Sequence, residues 1–122
     1  MKYPPIFQVA SADAAVTALL GASPTRLYLF GLAPDNPVGT YCVWQVINGS
    51  PESYLAGRPD AEAYGLQIDV YAPTASAARA AGHAIEYAVE LSAIVTSYNG
   101  ESRDTETGLY RYSFSVDWIV RR

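Results

Sequence analysis

The sequence predicts an α+β domain: a mostly antiparallel sheet with two helices packed on one face. Three observations carry this prediction. Two stretches alternate apolar and polar residues with a period of two. In the longer, Tyr110, Tyr112, Phe114, Val116, Trp118 and Val120 point one way, and Arg111, Ser113, Ser115, Asp117 and Arg121 the other. Two further stretches repeat apolar residues at helical spacing. Finally, 122 residues, 50% of them hydrophobic, with neither an internal repeat nor a linker, suit a single core, so the whole of 1–122 is expected to be one domain.

The first element follows Pro4 and Pro5, which suit a helix start. Val9, Ala12, Val16, Leu19 and Leu20 then mark an amphipathic helix that Gly21 can stop. Ser11 or Asp13 could be an internal cap, which would make the turn with Ile6 and Phe7 a separate arm. Arg26 to Phe30 is a short aromatic strand, closed by turn-formers between Gly31 and Gly39. Thr40 to Ile47 is apolar on both faces apart from Gln45, as in a central strand or one with a face committed to a partner. Asn48 to Asp60 holds Gly49, Pro51, Gly57 and Pro59, too many breakers for regular structure. It is expected to be an excursion with Tyr54 and Leu55 exposed at its tip and Arg58 beside them.

Leu66 to Tyr71 alternates, with Leu66, Ile68 and Val70 toward the core and Gln67 and Asp69 away from it. Thr74 can cap a second helix whose buried stripe is Ala77, Ala81, Ala84, Ile85, Ala88 and Leu91. A stripe of small residues favours close approach over buried area. Ile94 and Val95 are expected to pair with the last strand across a polar hairpin loop, Asn99 to Gly108. The expected order is therefore α-β-β-β-α-β-β.

Eight basic against 12 acidic residues leave a net charge of −4. That is no field for holding nucleic-acid phosphates, although a mildly acidic lining would let DNA pass without sticking. The lone Cys42 allows no internal disulfide and no cysteine framework for a metal. No apolar run approaches membrane-spanning length, and no signal-like segment opens the chain, so a soluble protein made in a cytoplasm is expected.

Chemistry is sparse. His83, Glu86 and Glu90 share one helix face, but without further ligands they read as a solvated face pairing locally with Arg79. Cys42 and His83 could form a thiol–imidazole pair, yet a thiol inside an apolar strand behaves as a small hydrophobe. Asp69 and Asp117 could form a carboxylate pair, but charges at such positions usually belong to a solvated sheet face. No catalytic set, cofactor or metal site is expected. The 10 tyrosines are more informative, because Tyr combines a large buried area with a polar tip and is frequent at interfaces. Tyr54, Leu55 and Tyr98 are candidate subunit contacts; otherwise such tyrosines cover the edges of the domain's own core. The mixed-charge run with Glu101, Arg103, Asp104 and Glu106, and the terminal Arg121, could dock on a neighbour by charge; otherwise they are a soluble hairpin tip and a frayed end.

Five segments in order carry a resemblance. They are Ala12 to Gly21; Arg26-Leu27-Tyr28 with Ala33-Pro34; Tyr41-Cys42-Val43-Trp44-Gln45; Leu66 to Ala72 before an Ala-rich helix; and Asp104 to Arg111 leading into the last strand. Together they resemble the phage tail completion, or tail terminator, family over nearly the whole chain. The chain departs from the family pattern at Thr40, where proline is common, and in the excursion 48–60. The resemblance implies a non-enzymatic virion protein of the tail and neck, assembled in the host cytoplasm. It implies a homo-oligomeric ring, typically a hexamer, whose partners are the tail tube protein and the head connector, with DNA passing through unbound. Another neck adaptor, or a small ligand-binding or enzymatic α+β domain, is the alternative.

Overall fold

The computed structural model describes residues 3–22, 24–35, 39–51 and 61–121, so Tyr54, Leu55 and Arg58 lie outside the described residues. The expected first helix is split into α1 (Ile6–Ser11) and α2 (Ala14–Leu20). Asp13 causes the break: its backbone is extended, and its carboxylate accepts from the amides of Ala15 (2.9 Å) and Val16 (3.2 Å), satisfying donors that a helix start leaves orphaned. The internal-cap alternative is the one realised, and among the described residues three helices stand where two were expected.

β1 (Leu27–Leu29) runs parallel to β2 (Tyr41–Pro51), and the other strand pairs are antiparallel: β2 with β3 (Ala61–Ala72), β3 with β5 (Tyr110–Arg121), and β5 with β4 (Ile94–Arg103). The order across the sheet is β1-β2-β3-β5-β4, so β1 and β4 are its edges. Asn48 to Pro51, expected to be irregular, continue β2 past a bulge between Val46 and Asn48. The partner strand makes room: a Cβ on Gly65, which opposes Asn48, would lie 2.6 Å from Asn48 Oδ1. β4 likewise runs on to Arg103, and the hairpin tightens to a turn closed by Asp104 N–H to Leu109 O (2.8 Å) and Gly108 N–H to Asp104 O (2.7 Å).

α3 (Ala75–Val89) starts at Thr74, whose hydroxyl accepts from the Ala77 amide at 3.1 Å. It lies across β3 and β5 with α1 and α2 beside it. The small-residue stripe does bring it close. At Gly82 an added Cβ would meet the Tyr112 ring at 2.4 Å, so the helix can approach β5 only because that position has no side chain. Leu91 does not complete the buried stripe as expected; α3 ends before it, and Leu91 is 93% exposed in the following turn.

The core lies between helices and sheet. It takes Ile6, Val16 and Leu20 from α1 and α2, Ile85 and Val89 from α3, and Leu66, Ile68, Val70, Phe114 and Val116 from the central strands. The apolar positions expected to face the core are buried, Leu66, Ile68 and Val70 in β3 and Tyr112, Phe114, Val116, Trp118 and Val120 in β5. Cys42 is enclosed in this core, where burial pushes its thiol well above the usual range.

Candidate functional site: the sheet edges and the open face

Directly opposed residues on paired strands share a side, so Tyr98, Glu101 and Arg103, opposite Phe114, Tyr112 and Tyr110, point to the helix side of β4. There β4 meets α3 through polar contacts. The Tyr98 hydroxyl donates to Glu86 at 2.5 Å, and mainly for that reason its phenol is pushed up to about 12. Arg79 clasps both oxygens of Glu101 at 2.6 and 2.9 Å, which holds the Glu101 carboxyl below the usual range. Arg79 therefore pairs across to β4 instead of along its own helix. Arg103 lies over the Tyr110 ring, 5.7 Å from its centroid.

His83, Glu86, Tyr87, Glu90, Tyr98 and Tyr112 line a cleft of about 310 Å³ between α3 and β4. His83 is exposed and packs edge-on against Tyr112, whereas the Cys42 thiol is enclosed, so the two do not form a reactive pair. In the β4–β5 turn Asp104 accepts from the Glu106 amide (2.9 Å), which lowers its carboxyl and makes it a turn-former; Glu106 and Arg121 are exposed. Tyr98, Glu101, Arg103, Asp104 and Glu106 thus gather along β4 and its turn. Arg121 stands apart at the far end of β5.

No described helix covers the other face of the sheet. Its centre holds an ion pair between Arg111 and Asp69 at 2.8 Å, with Gln67 also donating to Asp69 (3.1 Å) and Asn99 donating to Ser115 (2.8 Å). Asp69 is 7% exposed and Ser113 only 1%, so the polar positions expected to be solvated are buried under one another's longer side chains. Asp117 is exposed and four residues along β5 from the position opposite Asp69, so the two carboxylates form no pair. Toward β1, Tyr41 stacks on Tyr71 (5.1 Å between centroids) with Tyr28 tilted against it; burial, foremost, raises the Tyr41 and Tyr71 phenols.

At the β1 edge, Tyr3, Pro4, Leu29, Phe30, Trp44 and Val46 line an apolar groove of about 680 Å³. Sequence reasoning did not locate it. Its one signal is that Tyr41 to Ile47 is apolar on both faces, as expected of a strand with a face committed to a partner.

Among the described residues, no group of three or more His, Cys, Asp or Glu side chains is placed to hold a metal ion, and no helix is long and apolar enough to cross a membrane. No curated protein matches the chain. A solved chain from the virion of the native gene transfer agent particle shares the fold with a TM-score of 0.68 at 20% identity, covering 96% of this chain and 92% of its own. The family described as "Tail completion protein gp17" matches residues 4–121, from Pro4 in the groove to the last described residue of β5. By that match the chain belongs to the tail completion family, structural proteins associated with the phage tail and virion.

Proposed function

We propose that the protein is a tail terminator subunit: copies of it form a ring, six in number, that caps the finished tail tube and joins it to the head connector. The observation that carries this reading is the family match, which spans every described helix and strand. The surface supports it. Among the described residues no further strand pairs with either sheet edge, and large apolar side chains stand exposed at each: Phe30 and Leu32 by β1, Leu91 and Ile94 by β4. Such surfaces serve assembly, and a ring needs two different ones on every subunit. The charged residues Glu101, Arg103, Asp104, Glu106 and Arg121, together with Tyr54, Leu55, Arg58 and Tyr98, are the proposed contacts with neighbours or tube. The ring lumen passes DNA without binding it, in keeping with the net charge of −4.

The test adds purified protein to polymerising tail tubes and images their lengths and ends by electron microscopy. Tubes that stop growing and carry a cap at one end are expected. Tubes of unchanged length with bare ends would sink the proposal, and binding to the connector without binding to tubes would replace it with a neck adaptor.

A further inference from the structure

The sheet edge beside β1 is only partly covered. β1 pairs with β2 from Leu27 opposite Cys42 to Leu29 opposite Trp44, whereas β2 runs on to Pro51. Backbone groups of a strand point alternately to its two sides. The Cys42 N–H donates to Arg26 O and the Trp44 C=O accepts from the Phe30 N–H, each at 2.9 Å, so the Val46 N–H and C=O come next on that side. β1 does not reach them: the Leu32 N–H turns back to Leu29 O at 3.0 Å, with Gly31 at φ 77°. Among the described residues, no strand pairs with Val46 there.

The apolar groove lies at this same place. Trp44 and Val46 oppose Ile68 and Leu66, so their side chains face the helix side; with Leu29, Phe30, Tyr3 and Pro4 they line about 680 Å³. The lining carries no charge. A strand added at the ordinary spacing of about 4.8 Å from β2 would turn every second side chain into it. We propose that this edge takes up a short extended segment of another protein. Its backbone bonds to the Val46 N–H and C=O, and its large uncharged side chains, at alternate positions, seat in the groove. The site goes beyond the terminator reading and holds whether or not copies close into a ring.

Area and backbone select that occupant. At about 200 Å² for a large side chain, the exposed parts of Tyr3, Leu29 and Phe30 leave roughly 300 Å² of groove surface. A docked segment therefore buries roughly 600 Å² in all, half of the ~1,200 Å² at which stable interfaces between folded proteins begin. A second folded copy needs more than that, whereas a segment adds main-chain hydrogen bonds to a small contact. The register shift after Val46 bends the edge and keeps the pairing short. The β4 edge is a poorer acceptor, because it shifts register twice and carries the charged Glu101 and Arg103.

The experiment titrates the isotope-labelled full chain, followed by NMR, with a short synthetic peptide of alternating Thr and Leu. Its controls are the same peptide with Ser for Leu and the same peptide methylated on its backbone nitrogens. Binding that shifts the Val46 amide and the Trp44 indole, and that weakens about tenfold or more in both controls, is expected. Val46→Pro removes the outward N–H, and Phe30→Ser strips a groove side chain that is 59% exposed; each should weaken binding about tenfold while thermal melts stay near the wild type. Phe30→Ser carries the test alone should Val46→Pro fail to fold. No shift at millimolar peptide would overturn the site. A methylated peptide that binds as well as the plain one would overturn strand addition. Shifts of the same residues on raising the chain's own concentration would make a second copy the occupant. A Val46 amide already protected from hydrogen exchange in the free chain would show that the chain covers its own edge. Either of these last results overturns the proposal.

Discussion

The two faces of the sheet bury side chains by opposite means. On the helix side, Phe114, Ile68 and Leu66 are enclosed by α1, α2 and α3, a dry core in which each side chain is held by shape. On the other side no described helix is laid over the sheet, yet Asp69, Ser113 and Ser115 are nearly as hidden, with Arg111, Gln67 and Asn99 hydrogen-bonded to them. Burial on the first face is supplied by other elements, and on the second by hydrogen-bonded neighbours one strand away. The first should be sensitive to volume and the second to the pairing of charges.

The largest effect is expected where volume decides. Phe114→Ala should cost about 3–5 kcal/mol in chemical denaturation, since the three helices cannot collapse into the hole. A loss below about 1 kcal/mol would show the covered face to be loosely packed. Next comes the open face: Arg111→Ala strips the partner from a carboxylate that stays mostly buried, and about 1–3 kcal/mol should be lost. Adding Asp69→Asn should recover part of that loss; a double variant as unstable as the sum of the two single variants would mean that the pair does not act as a unit.

The smallest effect belongs to the seam between α3 and β4, where Tyr98 donates to Glu86. Its phenol, raised from 10.0 to about 12, favours the folded state in its neutral form. That contribution is complete below pH 10 and disappears as the pH rises toward 12, because ionisation sets a phenolate against a carboxylate. A spectrophotometric titration should therefore find one tyrosine ionising near 12, and Glu86→Gln should bring it back toward 10.

The covered face was legible in the sequence, since a period of two over Tyr110 to Val120 and Leu66 to Tyr71 can serve only one buried side. Less legible was anything decided by a partner strand. Asn48 to Pro51 carry breakers locally, but β3 imposes strand pairing on them and Gly65 makes the space. The burial of Asp69 was hidden because its cover, Arg111, is 42 residues away in sequence. Tyr98, Glu101 and Arg103 were recognised as candidate contacts from composition and placement. The grip of Tyr98 and Glu101 on α3 was not, because helix and strand charges do not reveal which of several partners they choose. The β1 groove escaped for a related reason: it is assembled from Tyr3, Leu29 and Trp44, which no periodic pattern connects.

The central position of β3 also sets a timetable for synthesis. One of its two neighbours, β5, spans 110–121, so the middle of the sheet keeps a bare edge until those residues have left the ribosome. Until then Trp118, Val116 and Phe114 are missing from the core on which α3 rests, and the helix has half of its platform. A chain built in this order completes its core late, and the apolar side of its central strand stays partly uncovered until β5 has been made.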